Sequence, residues 1–392
     1  MDSDSRKHKG INTRLAHSGH DPHSYFGFVN PPVVHASTVL FPDAATMESR
    51  NQKYLYGTRG TPTTDALAEA IDELEGSAGT IIVPSGLAAV TIPLLAFLSS
   101  GDHVLIVDSV YHPTRHFADT MLKRLGVEVD YYDPQVGAGI AALMKESTRV
   151  VFTESPGSNT FEMQDIPAIA KAAKAHGAVV MMDNTWATPI HFRPLDHGVD
   201  ISIHAATKYP AGHSDLLLGT VSANEATWPR LHETHITMGC CAAPDDAYQV
   251  LRGLRTMGVR LDRHEKNALE LAEWLAGQPG VARVLHPAMP GFPGHDIWKR
   301  DFSGASGIFS IVLDGGGKPA AHAFLDALEI FGLGYSWGGY ESLAVHAQLG
   351  DRTVASAPIE GPVMRLQIGL EDVADLKADL DKALAAARAA TR

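Results

Sequence analysis

Two short stretches carry residue types that can do chemistry together. Val179-Val-Met-Met-Asp183 is an apolar run that ends in a carboxylate. Ile201-Ser-Ile-His-Ala-Ala-Thr-Lys208 is a second apolar segment, and it ends in a lysine flanked by small residues and a threonine. A desolvated lysine has a lowered pKa and attacks aldehydes. A carboxylate at the end of a buried strand sits where open α/β sheets bind ligands. An amine that condenses with an aldehyde, and an acid that pairs with a pyridinium nitrogen, are what pyridoxal phosphate (PLP) needs from a protein. Each residue also has a plainer reading. Lysines are usually exposed, so Lys208 alone reads as a surface residue. Asp183 alone reads as a cap for Thr185-Trp-Ala-Thr188.

Two further features suit that chemistry. Ser85-Gly86-Leu87-Ala88 falls between an apolar strand pattern and an apolar helix pattern. A glycine there lets backbone N–H groups at the helix start face an anion such as a phosphate. It also reads as a tight connection. Arg365 lies in Val363-Met-Arg-Leu-Gln-Ile368, where period two puts it with Gln367 on the face opposite Met364, Leu366 and Ile368. It faces water, or it clamps a carboxylate bidentately. Other chemistries find less support. No GxxxxGK[ST] and no GxGxxG after a strand occurs, and Gly315-Gly-Gly-Lys318 reads as a loop. His232-Glu-Thr-His235 is not HExxH, and no Cys/His set has zinc spacing, so no metal is expected.

Such residues need a scaffold. Candidate strands are Thr80–Val83, His103–Val107, Val127–Tyr131, Arg149–Phe152, Ala178–Met182, Asp200–Ile203 and Leu217–Ser222. Helical segments such as Pro113–Leu125 and Pro167–Ala175 lie between them. Runs apolar at every position suit parallel strands covered on both faces, which predicts α/β layering with a mostly parallel seven-stranded sheet between helices. A helix is predicted after Thr63 or Thr64, with Leu67, Ile71 and Leu74 on one face and Gly76 at its end. From about Tyr248 the pattern changes to a long helical stretch, Asp246–Gln278, then Gly307–Leu313, a helix near Pro319–Leu328, a strand Val363–Ile368 and a final helix Glu371–Ala390. This reads as a smaller C-terminal α+β domain. Residues 1–60 are irregular and proline-bearing, an extended arm without a core of its own. The expected division is an arm for inter-subunit contact at 1–60, a PLP-binding domain at 61–255 and a C-terminal domain at 256–392.

The net charge of −13, with no basic stripe, argues against a nucleic-acid partner. Only two cysteines occur, the adjacent Cys240 and Cys241, which suits a reducing compartment. The first residues are acidic and polar, with no signal-peptide core, so a cytoplasmic location is expected. Gly76–Gly101 is uncharged and long enough to span a bilayer. Pro84, Ser85, Gly86 and Pro93 interrupt it, so it reads as strand, turn and buried helix, and no membrane is expected as a partner.

The sequence resembles the Cys/Met-metabolism family of PLP enzymes over nearly its whole length. The likeness rests on Glu154-Ser-Pro-Gly-Ser158, Asp183-Asn-Thr-Trp186, Ala205-Ala-Thr-Lys-Tyr209, Gly212-His-Ser-Asp215, Arg252-Gly-Leu-Arg-Thr256 and Tyr335-Ser-Trp-Gly-Gly-Tyr-Glu-Ser342, in that order. The resemblance implies a PLP-transferase-like large domain of fold type I. It implies Lys208 as the cofactor-binding and catalytic lysine, with Asp183 holding the pyridine nitrogen protonated. It implies Tyr111 stacked on the cofactor ring, and Gly86, Leu87 and Thr207 on the phosphate. Tyr56 would arrive from a neighbouring subunit and help tune the catalytic site. Arg365 would bind the substrate α-carboxylate, helped by Ser336, and Trp337, also on the substrate side, lies in the segment that resembles the β-lyase branch more than the γ-specific ones.

Two positions depart from the family pattern. Thr58 stands where relatives place a phosphate-binding arginine, so either Arg59 substitutes or the phosphate is held otherwise. Ala205 replaces a frequent serine. The implied reaction is carbon–sulfur lysis, β-elimination of L-cystathionine to homocysteine, pyruvate and ammonia in methionine biosynthesis, in a homotetramer with shared active sites. The alternatives are γ-elimination, γ-replacement or cysteine desulfhydration on the same cofactor, a non-catalytic binding protein on the same fold, and a metal-dependent hydrolase.

Overall fold

A computed structural model describes residues 3–6, 8–355 and 360–391. Met1, Asp2 and Lys7 of the predicted arm lie outside the described residues. Seven strands form the larger sheet: β1 (Gly79–Val83), β2 (His103–Val107), β3 (Glu128–Tyr132), β4 (Thr148–Glu154), β5 (Val179–Asp183), β6 (Ile201–His204) and β7 (Gly219–Ala223). Their order is β1-β7-β6-β5-β4-β2-β3. All neighbours are parallel except β7, which runs antiparallel to both β1 and β6. All seven predicted strands are present. Strands β1, β2, β6 and β7 are buried throughout and β5 in its interior, whereas the edge strand β3 is half-exposed.

The smaller sheet has five strands: β8 (Val281–Leu285), β9 (Ile308–Leu313), β10 (Gly332–Leu333), β11 (Leu343–Ala347) and β12 (Val363–Gln367), in the order β10-β11-β12-β9-β8. Leu271 and Leu275 of one helix, Phe324 of a second, and Leu380 and Leu384 of a third pack with Phe309, Ile311 and Leu366 of this sheet. The mixture of strands and helices agrees with the expected α+β pattern. Strands β8, β10 and β11 were not predicted. They are short or half-exposed, so they lack the unbroken apolar signature of the central strands.

Three local expectations need correction. The predicted continuous helix Asp246–Gln278 is two helices, Pro244–Leu254 and Met257–Leu275. Thr256 leaves the helical region at φ −114°, ψ 5°. Next to it, the Arg255 guanidinium is drawn to Leu15 O and Ser18 O, at 2.8 and 2.7 Å. The helix Pro62–Glu75 is capped by Thr61 rather than Thr63 or Thr64. The Thr61 hydroxyl accepts from Thr64 N–H at 3.3 Å, and the Thr64 hydroxyl accepts from Thr61 N–H at 2.8 Å, a reciprocal box that Pro62 at the first helical position favours. The helix predicted over Pro113–Leu125 is α-helical at His112–Phe117 and then widens to π geometry at Ala118–Leu122.

Gly76–Gly101 folds as read, with β1, a turn and the buried helix Gly86–Phe97. Among the described residues no helix is long and apolar enough to cross a membrane.

The two sheets are joined beside the candidate site. Tyr209, fully buried, accepts Gly307 N–H at its phenol oxygen (2.8 Å), and Trp186 Nε1 donates to Ile308 O (3.2 Å). Both polar tips are therefore satisfied across the junction.

Candidate active site

Every predicted residue on the larger sheet lies at the carboxyl end of a strand: Gly86 after β1, Tyr111 after β2, Asp183 at the end of β5 and Lys208 after β6. This is the edge at which open α/β sheets bind ligands.

Lys208 meets the C-terminal domain directly. Its Nζ donates to Ser336 Oγ at 2.5 Å and lies 5.2 Å from the centroid of the Trp337 ring. Burial pushes the amine down to about 8; the Arg365 charge adds to this, and Asp183 opposes it. Lys208 is thus not a solvated surface lysine. Ser336 has φ +77°, a left-handed conformation that a non-glycine residue adopts at a cost. Two residues on, Gly338 passes so close that a Cβ there would lie 3.1 Å from Lys208 Cα. Only a residue without a side chain permits this approach of the two domains.

Asp183 is both a turn residue and a buried acid. Its Oδ1 accepts from Thr185 N–H (3.0 Å) and Thr185 Oγ1–H (2.6 Å), a turn rather than a helix cap, since the helix that follows, Thr188–His191, has Ala187 at its N-cap. That uses one oxygen of the carboxylate. Burial raises its pKa, while the Thr185 bonds pull the other way. On the neighbouring strand Glu154 stands in register with Asp183. The Glu154 carboxyl is pushed well above the usual carboxylate range, first by burial and then by the Asp183 charge. Its Oε2 accepts Tyr111 N–H at 2.7 Å. The Tyr111 ring is 45% exposed, open to the space in front of these acids. Burial, then Asp183 and Glu154, raise the phenol pKa.

Arg365 is half-buried rather than fully open to water as its strand position allowed. It donates to Ser336 O at 3.2 Å, and burial lowers its pKa to about 10, so it stays charged at neutral pH. Its charge helps to lower the Lys208 amine and opposes the rise of the Tyr111 phenol.

The turn after β1 is shaped for an anion. The Ser85 hydroxyl accepts Ala88 N–H at 3.1 Å, which leaves the Gly86 and Leu87 N–H groups, in the first turn, without intrahelical partners. A Cβ on Gly86 would sit 2.5 Å from Ala205 Cβ, so the space between this turn and the Lys208 turn admits only glycine. Thr207 is already engaged. Its hydroxyl donates to Leu218 O (3.2 Å) and accepts Leu218 N–H (3.0 Å), and donation to a phosphate requires the first bond to break.

Tyr56 and Arg59 stand apart. They belong to the arm, where Tyr56 pairs with Thr38 and is 50% exposed. Arg59 lies near His232, whose pKa its charge helps to lower after burial. No hydrogen bond or ion pair joins either to Lys208 among the described residues.

These observations test the fit of PLP. A buried amine near neutrality, a buried carboxylate with a free oxygen, an aromatic face and two free N–H groups at a helix start form the donor set that its aldehyde, ring nitrogen, ring and phosphate require. The residues fit. Glu154, Ser85 and Gly338 complete the site but were not singled out as site residues in the sequence. Glu154 was visible only as part of the Glu154–Ser158 motif.

The comparisons point to the same cofactor. A sequence profile described as the Cys/Met metabolism PLP-dependent enzyme family matches residues 12–385. A Rhizobium johnstonii protein carrying a provisional cystathionine β-lyase name is 72% identical over 384 residues, 97% of each chain. The cystathionine β-lyase MetC of Escherichia coli is 44% identical over 390 residues, 96% of this chain and 98% of that one. The solved cystathionine γ-synthase of Xanthomonas oryzae, in complex with cystathionine, superposes with a TM-score of 0.91 at 33% identity, over 97% of this chain and 99% of that one. This chain belongs to the Cys/Met metabolism family of PLP-dependent enzymes.

Proposed function

We propose that the protein is a carbon–sulfur lyase that cleaves L-cystathionine by β-elimination to homocysteine, pyruvate and ammonia, with one water consumed. The observation that carries this reading is the Lys208 amine, lowered to about 8 and held by Ser336 between the Asp183 and Arg365 sides of the site. The names of the relatives at 72% and 44% identity favour the β-lyase over the γ-synthase reaction, whose structural neighbour is 33% identical.

PLP, when bound, supplies an electron sink for charge that develops at the substrate Cα. The protein does the rest. Asp183 would stabilise a protonated ring nitrogen, and Tyr111 would supply an aromatic face for the ring. The Gly86 and Leu87 N–H groups would hold the phosphate, with Thr207 once its hydroxyl turns from Leu218 O, and with Arg59. Arg365 clamps the α-carboxylate, with Ser336 and Trp337 beside it. Lys208 removes the Cα proton and returns a proton to the sulfur that leaves Cβ. Tyr111 and Tyr56 tune that transfer.

The same reading divides the chain into an arm at 1–60, a PLP-binding domain at 61–255 and a C-terminal domain at 256–392. The arm presents Phe26, Phe28, Val29, Leu40, Met47 and Tyr56 to solvent. An apolar surface of this kind suits burial against another copy of the chain. We assign the protein to a cytoplasmic homotetramer in which Tyr56 and Arg59 complete a neighbour's site. Analysis of the keto acid tests the reaction. Pyruvate from cystathionine supports β-elimination, and 2-oxobutyrate points to γ-cleavage and contradicts it.

A further inference from the structure

Asp108 follows β2 and precedes Tyr111 by three residues. It is 1% exposed. Its carboxylate gathers the backbone of a loop from the other domain. Oδ2 accepts Val354 N–H at 2.7 Å and Ala355 N–H at 2.6 Å, and Thr353 N–H lies 3.1 Å from both oxygens. The Thr353 hydroxyl donates to Oδ1 at 3.3 Å. Arg115, 4% exposed, donates to Oδ1 as well and to Asp108 O at 2.9 Å. Burial alone would raise the Asp108 pKa, but the N–H donors of Ala355, Val354 and Thr353, with Arg115, hold it below the ordinary value.

A second anchor lies beside the first. Arg352 Nη1 donates to Glu162 Oε1 at 2.6 Å, and its Nη2 reaches Thr160 Oγ1 and, at 3.3 Å, Ser158 O. Ser158 is in turn held to the Tyr111 turn, since its N–H donates to Ser109 O at 2.8 Å. The anchored loop joins β11 to β12, and β12 carries Arg365. Tyr111 follows the anchoring carboxylate by three residues, and Arg365 follows Ala355 by ten, on the strand to which this connection leads.

We propose that Asp108 is a positioning residue for the reaction. By holding the backbone of Thr353–Ala355 it fixes the reach between Tyr111 on the larger sheet and Arg365 on the smaller one. An ionised, buried acceptor with this many donors is a strong and geometrically exacting link. Small errors in such a link are costly, because displacement of a binding group by about 1 Å reduces rates by about a hundredfold. The proposal rests on the reading that Arg365 binds the substrate carboxylate. A group that binds ground state and transition state alike acts on KM more than on kcat.

The test uses the PLP-loaded enzyme with Asp108→Ala and Asp108→Asn. In Asp108→Ala, hydrogen exchange of the peptide containing Thr353–Ala355 should accelerate at least tenfold. KM for cystathionine should rise about tenfold, with kcat within threefold and the visible absorbance of bound PLP unchanged. Asp108→Asn, which keeps one acceptor oxygen, should fall between wild type and Asp108→Ala in both readings. If Asp108→Ala does not fold, Arg352→Ala loosens the same loop from its other anchor and should raise both exchange and KM. Protected amides in the folded variant, or fast exchange with unchanged KM, overturn the proposal. Failure of the wild type to release pyruvate from cystathionine would instead sink the lyase reading, and the exchange comparison would still decide whether Asp108 holds the loop.

Discussion

Lys208 Nζ sits 2.5 Å from Ser336 Oγ, and this contact joins the strand-end chemistry of the larger sheet to the substrate side of the smaller one. Ser336 holds the amine while its own carbonyl accepts from Arg365 at 3.2 Å. A single residue in a left-handed conformation thus touches both the proton-moving group and the carboxylate clamp. Ser336→Ala removes the hydroxyl and leaves the backbone demand in place. It should lower kcat/KM for cystathionine about tenfold, close to the 1–1.5 kcal/mol of a lost hydrogen bond. Steady-state kinetics at saturating PLP checks this, and an unchanged value would remove Ser336 from the site.

The lowered pKa of Lys208 has a consequence for stability in the absence of PLP. An unfolded lysine keeps its proton up to about 10.4. In the folded chain Lys208 releases it above about 8. Between these values the unfolded state binds more protons, so stability rises with pH through the window and the full penalty applies below it. Lys208→Met removes the penalty. PLP-free Lys208→Met should be more stable than PLP-free wild type at pH 7, and the gap should close towards pH 10. Urea midpoints at several pH values measure it. A gap that stays constant would mean that burial does not perturb this amine.

The cradle after β1 predicts opposite effects for two small substitutions. Ala205 Cβ faces the start of the Gly86–Phe97 helix, because a Cβ on Gly86 would lie 2.5 Å from it. Gly86→Ala should therefore weaken PLP binding, through a clash that shifts the turn. Ala205→Ser places a hydroxyl at the same opening. A hydrogen bond to a charged group contributes about 1.5 kcal/mol, so PLP should bind about tenfold more tightly. Fluorescence titration of the PLP-free protein gives both affinities. Weaker binding by Ala205→Ser would mean that the phosphate lies elsewhere.

Tyr56 and Arg59 predict complementation. If the arm completes a neighbour's site, Tyr56→Ala and Lys208→Ala subunits are each inactive among themselves. Mixed after reversible dissociation, they should regain activity in those sites that combine an intact Tyr56 with an intact Lys208. Mixed oligomers with no regained activity would place Tyr56 in its own chain's site, or outside the chemistry.

Much of this was legible in the sequence, for physical reasons that differ by element. The strand before Asp183 announces itself because a strand covered on both faces is largely apolar, whereas the one before Lys208 buries Ser202 and His204, both partnered by Glu75. The Lys208 turn and the Tyr335–Ser342 segment are separate motifs in the chain, and only the Gly338 approach shows that they touch. The pairing of Glu154 with Asp183 depends on β4 lying beside β5, which is a matter of strand order rather than of local pattern. The break at Thr256 was hidden because Arg255 answers to carbonyls of Leu15 and Ser18, far away in the chain. The Asp108 anchor was illegible for the same reason, since its donors are backbone groups of a loop in the other domain. The first sixty residues read as irregular, yet they hold the helices Ile11–His17 and Ala44–Ser49, and Leu15 is buried against Leu67, Ile71 and Leu74, a long-range contact that local pattern does not reveal.

The central claim is that Lys208 both anchors PLP and moves the substrate's proton. Borohydride reduction of the PLP-loaded enzyme, followed by peptide mass spectrometry, tests it most directly. The reduced cofactor should be attached to Lys208 in the wild type. Lys208→Ala should carry no covalent cofactor, lack the visible absorbance and release no pyruvate from cystathionine. Attachment at another lysine, or normal pyruvate release by Lys208→Ala, would contradict the account.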